Sequence, residues 1–116
     1  MSVKFYRDGS EVVMNQITAR VIDEQKTRFE LIPAYPLAEL AHVYTKGAEK
    51  HAAEGWRMGM SWKYCVSKML RHLFQWLMGS TRHEKGMHHL GSVAFYAFAL
   101  MEYERTGTGE DDREDI

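Results

Sequence analysis

Cysteine and proline are scarce here: one Cys and two Pro in 116 residues. A lone Cys65 excludes an intramolecular disulfide and a cysteine-built metal framework, and fits a reducing compartment. With so little proline the backbone is free to form helices. Long apolar runs are missing as well. The longest, Val93 to Met101, is too short to span a bilayer, and the opening MSVKFYRDG lacks the apolar run of a signal peptide. A soluble cytoplasmic protein is expected. Nor does charge of one sign dominate, since the formal net charge is −1. Five acids and one arginine crowd into the last eleven residues, which leaves 14 bases against 11 acids elsewhere. Nucleic-acid binding would need a basic stripe and a higher pI, whereas this surplus suits a small phosphorylated ligand. A P-loop, a dinucleotide fingerprint and a serine flanked by glycines are also lacking, which excludes the usual nucleotide folds and the nucleophile elbow.

What remains is a globular composition, 45% hydrophobic with eight Met, three Trp and six Tyr. Its length supports one core that a second subunit can complete. The expected architecture is all-α: a small bundle of three to four helices with an extended or short β N-terminal arm, oligomeric. Residues 1–30 read as that arm. Asp8-Gly9 marks a hairpin turn, and Ile17, Ala19 and Val21 alternate with Thr18 and Arg20. Residues 31–105 form the helical domain, and 106–116 a disordered acidic tail.

The first helix is expected from Pro36, which suits a first turn, to Ala52, with Leu37, Leu40, Ala41, Tyr44, Ala48 and His51 buried. Glu39, Val43, Lys46 and Lys50 share a neighbouring face, which reads first as a solvated one and second as a binding one. Trp56 and Arg57 lie in a Gly-bounded loop, where the indole either plugs the core or stacks on a ligand. The second helix should begin after an N-cap at Ser61 and stop at Gly79. Its stripe is Trp62, Cys65, Val66, Met69, Leu70, Leu73, Trp76 and Leu77. Thr81-x-x-Glu84 resembles a capping box. The third helix, Met87 to Thr106, is apolar nearly all round, which implies contact with both other helices and with another subunit.

Polar chemistry concentrates between Arg71 and Leu90, which holds His72, His83, His88 and His89. A zinc-protease motif fails on spacing, because His83 and His88 are five apart with Gly86 between them. A helical bundle can still build a site from inward side chains. Glu39, Glu84, His72 and His89 are candidate ligands or bases, and Lys46, Lys50, Arg57 and Arg71 candidate phosphate partners.

Several short stretches, taken in order, resemble one family. Lys26 to Pro33 (KTRFELIP), Leu37 to Ala41 (LAELA) and Lys46 to His51 (KGAEKH) are followed by Trp56, Gly59, Arg71-His72-Leu73, Gly79 and Glu84 to Leu90 (EKGMHHL). Together they resemble the phage-borne dATP/dGTP diphosphohydrolase N-terminal domain family, a relative of the MazG-like nucleotide pyrophosphohydrolases. The resemblance implies an oligomeric all-helical protein that uses Mg²⁺ or Mn²⁺ to convert purine deoxynucleoside triphosphates to monophosphate and pyrophosphate, in the host cytoplasm if phage-encoded. Its residue-by-residue carry-over supports Glu39, Lys50, Arg71, His72, Glu84 and His89. The expected roles are then catalysis by Glu39, His72 and Glu84, and nucleotide binding by Lys46, Lys50, Trp56, Arg57, Arg71 and His88. Glu39, Glu84 and His89 are the expected metal ligands, and helix 87–105 the expected self-association surface. Three positions depart from the family pattern. Arg82-His83 stand where an Asp usually precedes the matching Glu, Ser92 replaces a second histidine, and Gly55 replaces an Asn. Losing a carboxylate leaves few hard oxygen donors for Mg²⁺, so the alternative is a non-catalytic protein that sequesters a linear or cyclic nucleotide.

Overall fold

The computed structural model describes residues 26–115, and the chain divides into two units, one up to Ile32 and one from Pro33. The expected hairpin and most of the arm lie outside the described residues. Of the first unit, the short 3-10 turn Phe29–Leu31 and an Arg28–Glu30 ion pair are described. The second unit carries three helices: α1 (Ala34–Lys50), α2 (Trp62–Leu77) and α3 (His89–Thr106). The chain is all-α, and no strand occurs among the described residues. Nor is any described helix long and apolar enough to cross a membrane.

α3 packs against both α1 and α2. Where it meets α1 it carries Gly91, and a Cβ there would stand 3.1 Å from the Glu39 carbonyl oxygen and 3.3 Å from Val43 Cγ2. This notch lets the backbones approach and turns the Glu39–Val43 side of α1 inward. The buried residues of α1 are therefore Leu40 and Val43, while Leu37, Ala41 and His51 are exposed, a rotation from the stripe expected from spacing. Between α2 and α3 lies the core of Trp62, Cys65, Ala99 and Tyr103, with Trp56, Met60, Tyr96 and Leu100 packed on it. Burying the large side chains among these contributes roughly 1.5–3 kcal/mol each, and the Ala99 methyl about 0.8.

Ser61 is the N-cap of α2, its hydroxyl accepting from the Tyr64 N–H at 3.1 Å. Gly79, with φ +105°, follows the Met78 C-cap. Thr81 and Glu84 do not form a capping box. Gly86 at φ +93° turns the chain back, an antiparallel bridge pairs Arg82 with His88, and α3 starts at His89 with the His88 ring accepting from the Leu90 N–H.

The tail, expected to be disordered, folds back on the start of α2. Gly107 ends α3 in the left-handed conformation. Glu110 then bonds Met60 and Trp62 through its backbone, and the Trp62 indole N–H donates to the Thr108 carbonyl at 3.0 Å. Asp112 accepts from the Ser61 hydroxyl at 2.6 Å and from the Lys63 N–H at 2.9 Å. A carboxylate here satisfies an orphan donor and meets the positive end of the helix dipole, so one acid of a tail expected to be disordered instead caps a helix.

Candidate functional site

The polar cluster forms at one end of the bundle, where the N-terminal half of α1, the C-terminal half of α2, the loop 80–88 and the start of α3 converge. His72, His83 and His89 form a triangle with ring centroids 5.2 to 6.2 Å apart. His72 Nδ1 lies 2.9 Å from His89 Nδ1, and His89 Nε2 lies 3.1 Å from Ser80 Oγ, which donates to the Arg82 carbonyl at 3.3 Å. One proton arrangement satisfies all three contacts. Ser80 gives its proton to the carbonyl, so His89 Nε2–H donates to Ser80, and His89 Nδ1 must accept from His72 Nδ1–H. His72 Nε2 is then left with the lone pair.

Burial keeps both rings neutral. The His72 pKa is lowered to about 4, chiefly by burial and then by His89, His83, Lys68 and Arg71. His89 is lowered by burial first and by its histidine neighbours second. His83 Nδ1 accepts from the Lys85 N–H at 3.0 Å, so Nε2 is the ring nitrogen that carries a proton.

Beside the histidines is an ion pair that sequence reasoning missed. Arg82 spans both oxygens of Glu39, at 3.0 and 2.6 Å, and also donates to the Gly86 carbonyl at 3.0 Å and to the Tyr35 hydroxyl at 3.4 Å. The Glu39 side chain is only 14% exposed. Hydrogen bonds from Arg82 and then Tyr35 hold its pKa down to about 2. Arg82 stood out only as a departure from a motif, and a partner 43 residues away leaves no trace in local spacing.

Thus Glu39, Arg71, His72, Glu84, His88 and His89 belong to this end. Glu84 is exposed in the turn between Arg82 and His88. The other expected nucleotide-binding residues do not join them. Lys46 and Lys50 lie toward the far end of α1; Lys50 is about 16 Å along the helix axis from Glu39 at 1.5 Å per residue. Lys46 pairs with Glu49 at 3.5 Å. Trp56 plugs the core, its ring 5.8 Å from Tyr44 and 6.2 Å from Tyr103, and its carbonyl accepts from the Tyr103 hydroxyl. Arg57 lies 4.6 Å over that indole and pairs with Glu54 and Glu102. Among the described residues, no three His, Cys, Asp or Glu side chains form a group able to hold a metal ion.

A comparison with family models matches residues 17–113 to the dATP/dGTP diphosphohydrolase, N-terminal, family. The chain belongs to that family. No curated protein and no solved structure matched it. In this diphosphohydrolase-family chain, the matched region takes in the histidine end, the core and the tail as far as Arg113.

Proposed function

We propose that this chain acts on purine deoxynucleoside triphosphates, water attacking the α-phosphorus to release the monophosphate and pyrophosphate. The supporting observation is the family match across residues 17–113, joined to the neutral imidazoles and cations at one end of the bundle. In this reading His72 Nε2 takes the proton of the attacking water, while its Nδ1–H is held by His89. The low pKa of His72 in the unliganded protein rises as a triphosphate brings negative charge beside it, which moves the base toward the useful range. The new P–O bond displaces the bridging oxygen, and pyrophosphate leaves with its charge offset by Arg71.

The Mg²⁺ or Mn²⁺ implied by the resemblance calls for hard oxygen donors. Glu39 has both oxygens on Arg82, and the imidazoles are nitrogen donors. Glu84 is an exposed carboxylate that joins no group of three such donors among the described residues, so the side chains present do not fit that ion, and no step is assigned to it.

The Glu39–Arg82 pair favours a second reading, a non-catalytic protein that sequesters its nucleotide, linear or cyclic. Incubation with deoxy-, ribo- and cyclic nucleotides, followed by ion-exchange chromatography before and after heat denaturation, separates the two. Monophosphate with pyrophosphate supports hydrolysis. A nucleotide that vanishes and returns intact on heating supports sequestration. Neither effect with any nucleotide rejects both readings.

Self-association belongs to the same proposal. The wider apolar face is on α2 rather than on the helix expected to mediate contact, because α3 lies against both other helices. Val66, Leu70, Leu73 and Leu77 follow a four-three-four spacing, and with Phe74 they are 40 to 66% exposed. That face amounts to roughly 500 Å², a large share of the ~800 Å² that each partner of a standard interface buries. Light scattering on the full chain is expected to give a multiple of the 13.5 kDa monomer mass, reduced by Leu70→Glu.

A further inference from the structure

We infer that Arg82 is the resident counter-cation of Glu39 and closes that carboxylate to divalent metal. The inference rests on the reading that this end of the bundle takes the nucleotide, and it says how one of the site's acids is occupied. Four oxygens converge on the guanidinium: both carboxylate oxygens of Glu39, the Gly86 carbonyl and the Tyr35 hydroxyl. Oxygens of these kinds are also the donors that a divalent cation takes. The guanidinium fills the place with one fixed positive charge, and its planar fork matches the carboxylate through two parallel N–H···O bonds.

The loop that presents Arg82 is braced independently of that side chain. The His83 N–H donates to the Met87 carbonyl at 2.7 Å, the Gly86 N–H to the His83 carbonyl at 2.8 Å, and the His89 N–H to the Thr81 carbonyl at 3.0 Å. Removing the guanidinium therefore leaves the backbone loop in place and exposes an oxygen-lined recess on a partly buried carboxylate. An exchanging surface ion pair would not behave in this way. Glu39 is six-sevenths covered, and the pair ties α1 to the loop across 43 residues of sequence.

Mn²⁺ uptake by the full chain, followed by electron paramagnetic resonance without nucleotide, tests this directly. Wild type and Glu39→Gln are expected to show the same weak, non-stoichiometric uptake. Arg82→Ala should gain about one Mn²⁺ per chain, at least about ten-fold tighter than wild type, and the double variant Arg82→Ala/Glu39→Gln should lose it again. Stoichiometric uptake by wild type that Glu39→Gln abolishes overturns the inference, as does a folded Arg82→Ala protein that gains none. If Arg82→Ala fails to fold, the wild-type and Glu39→Gln titrations still decide. With no nucleotide in the sample, the result is independent of whether the chain hydrolyses or binds one.

Discussion

Gly109→Ala probes the link between the tail and α2. Gly109 has φ +78°, and a Cβ there would stand 2.5 Å from the Met60 carbonyl oxygen, 3.1 Å from Trp62 Nε1 and 3.2 Å from the Met60 nitrogen. The left-handed conformation alone costs an alanine about 1–2 kcal/mol. The steric conflict is with backbone on the facing segment and cannot be relieved by a rotamer change. Relief means lifting the tail, which weakens the indole bond to Thr108 and the Asp112 cap, each worth about 1 kcal/mol. The total is about 3–4 kcal/mol. Gly107→Ala supplies the control, because Gly107 has φ +69° with nothing within 4 Å of its Cβ position, so only the conformational cost applies. Thermal and urea denaturation of both variants should place Gly109→Ala lower in Tm by roughly 10 °C beyond the control. Equal shifts for the two would refute a tail docked on α2.

Other consequences can be checked in the same preparations. His72 and His89 have folded pKa values below the ordinary 6.5, so the unfolded chain binds more protons between about 4 and 6.5. Stability should therefore be complete above 6.5 and fall as pH drops toward 4, by on the order of 1–2 kcal/mol after discounting for solvent screening, and His72→Gln should flatten the urea midpoint across that window. Glu39 contributes in a different range. Its stabilisation is present above 4.5 and is lost progressively as pH falls from there through about 2, so loss between 6.5 and 5 belongs to the histidines. Trp56→Ala should lower stability by about 2–3 kcal/mol while leaving nucleotide affinity within about two-fold, since the indole packs in the core away from the histidines; a selective loss of affinity would contradict that placement. The Cys65 thiol, fully buried and with its pKa raised mainly by burial, should react with a thiol reagent only on unfolding; rapid labelling of the native protein would contradict the packing of α2 on α3.

Helical periodicity was a good guide wherever one side chain or one cap decides an element. Ser61, Gly79 and Cys65 could all be read from their immediate neighbours. The face of α1 could not, because it depends on Gly91 in another helix, and an isolated glycine does not announce which backbone it admits. The tail misled for a related reason: an acidic run reads as disordered until the helix start that Asp112 caps lies within reach. The candidate site was half legible. His72, His88 and His89 were drawn from one dense stretch, whereas Lys46, Lys50, Trp56 and Arg57 were grouped with them by chemistry alone, and a helix 17 residues long can hold its two ends in different places. Arg82 was visible as a charge, but its bond to Glu39 is a tertiary fact.

The most direct test is incubation of the purified chain with dATP and with dGTP, products resolved by ion exchange, alongside His72→Gln. The expected result is the matching deoxynucleoside monophosphate and pyrophosphate in equal amounts, lost in His72→Gln with stability otherwise retained at neutral pH. Intact triphosphate, neither cleaved nor withdrawn from solution, would contradict the assignment of this end of the bundle to nucleotide chemistry.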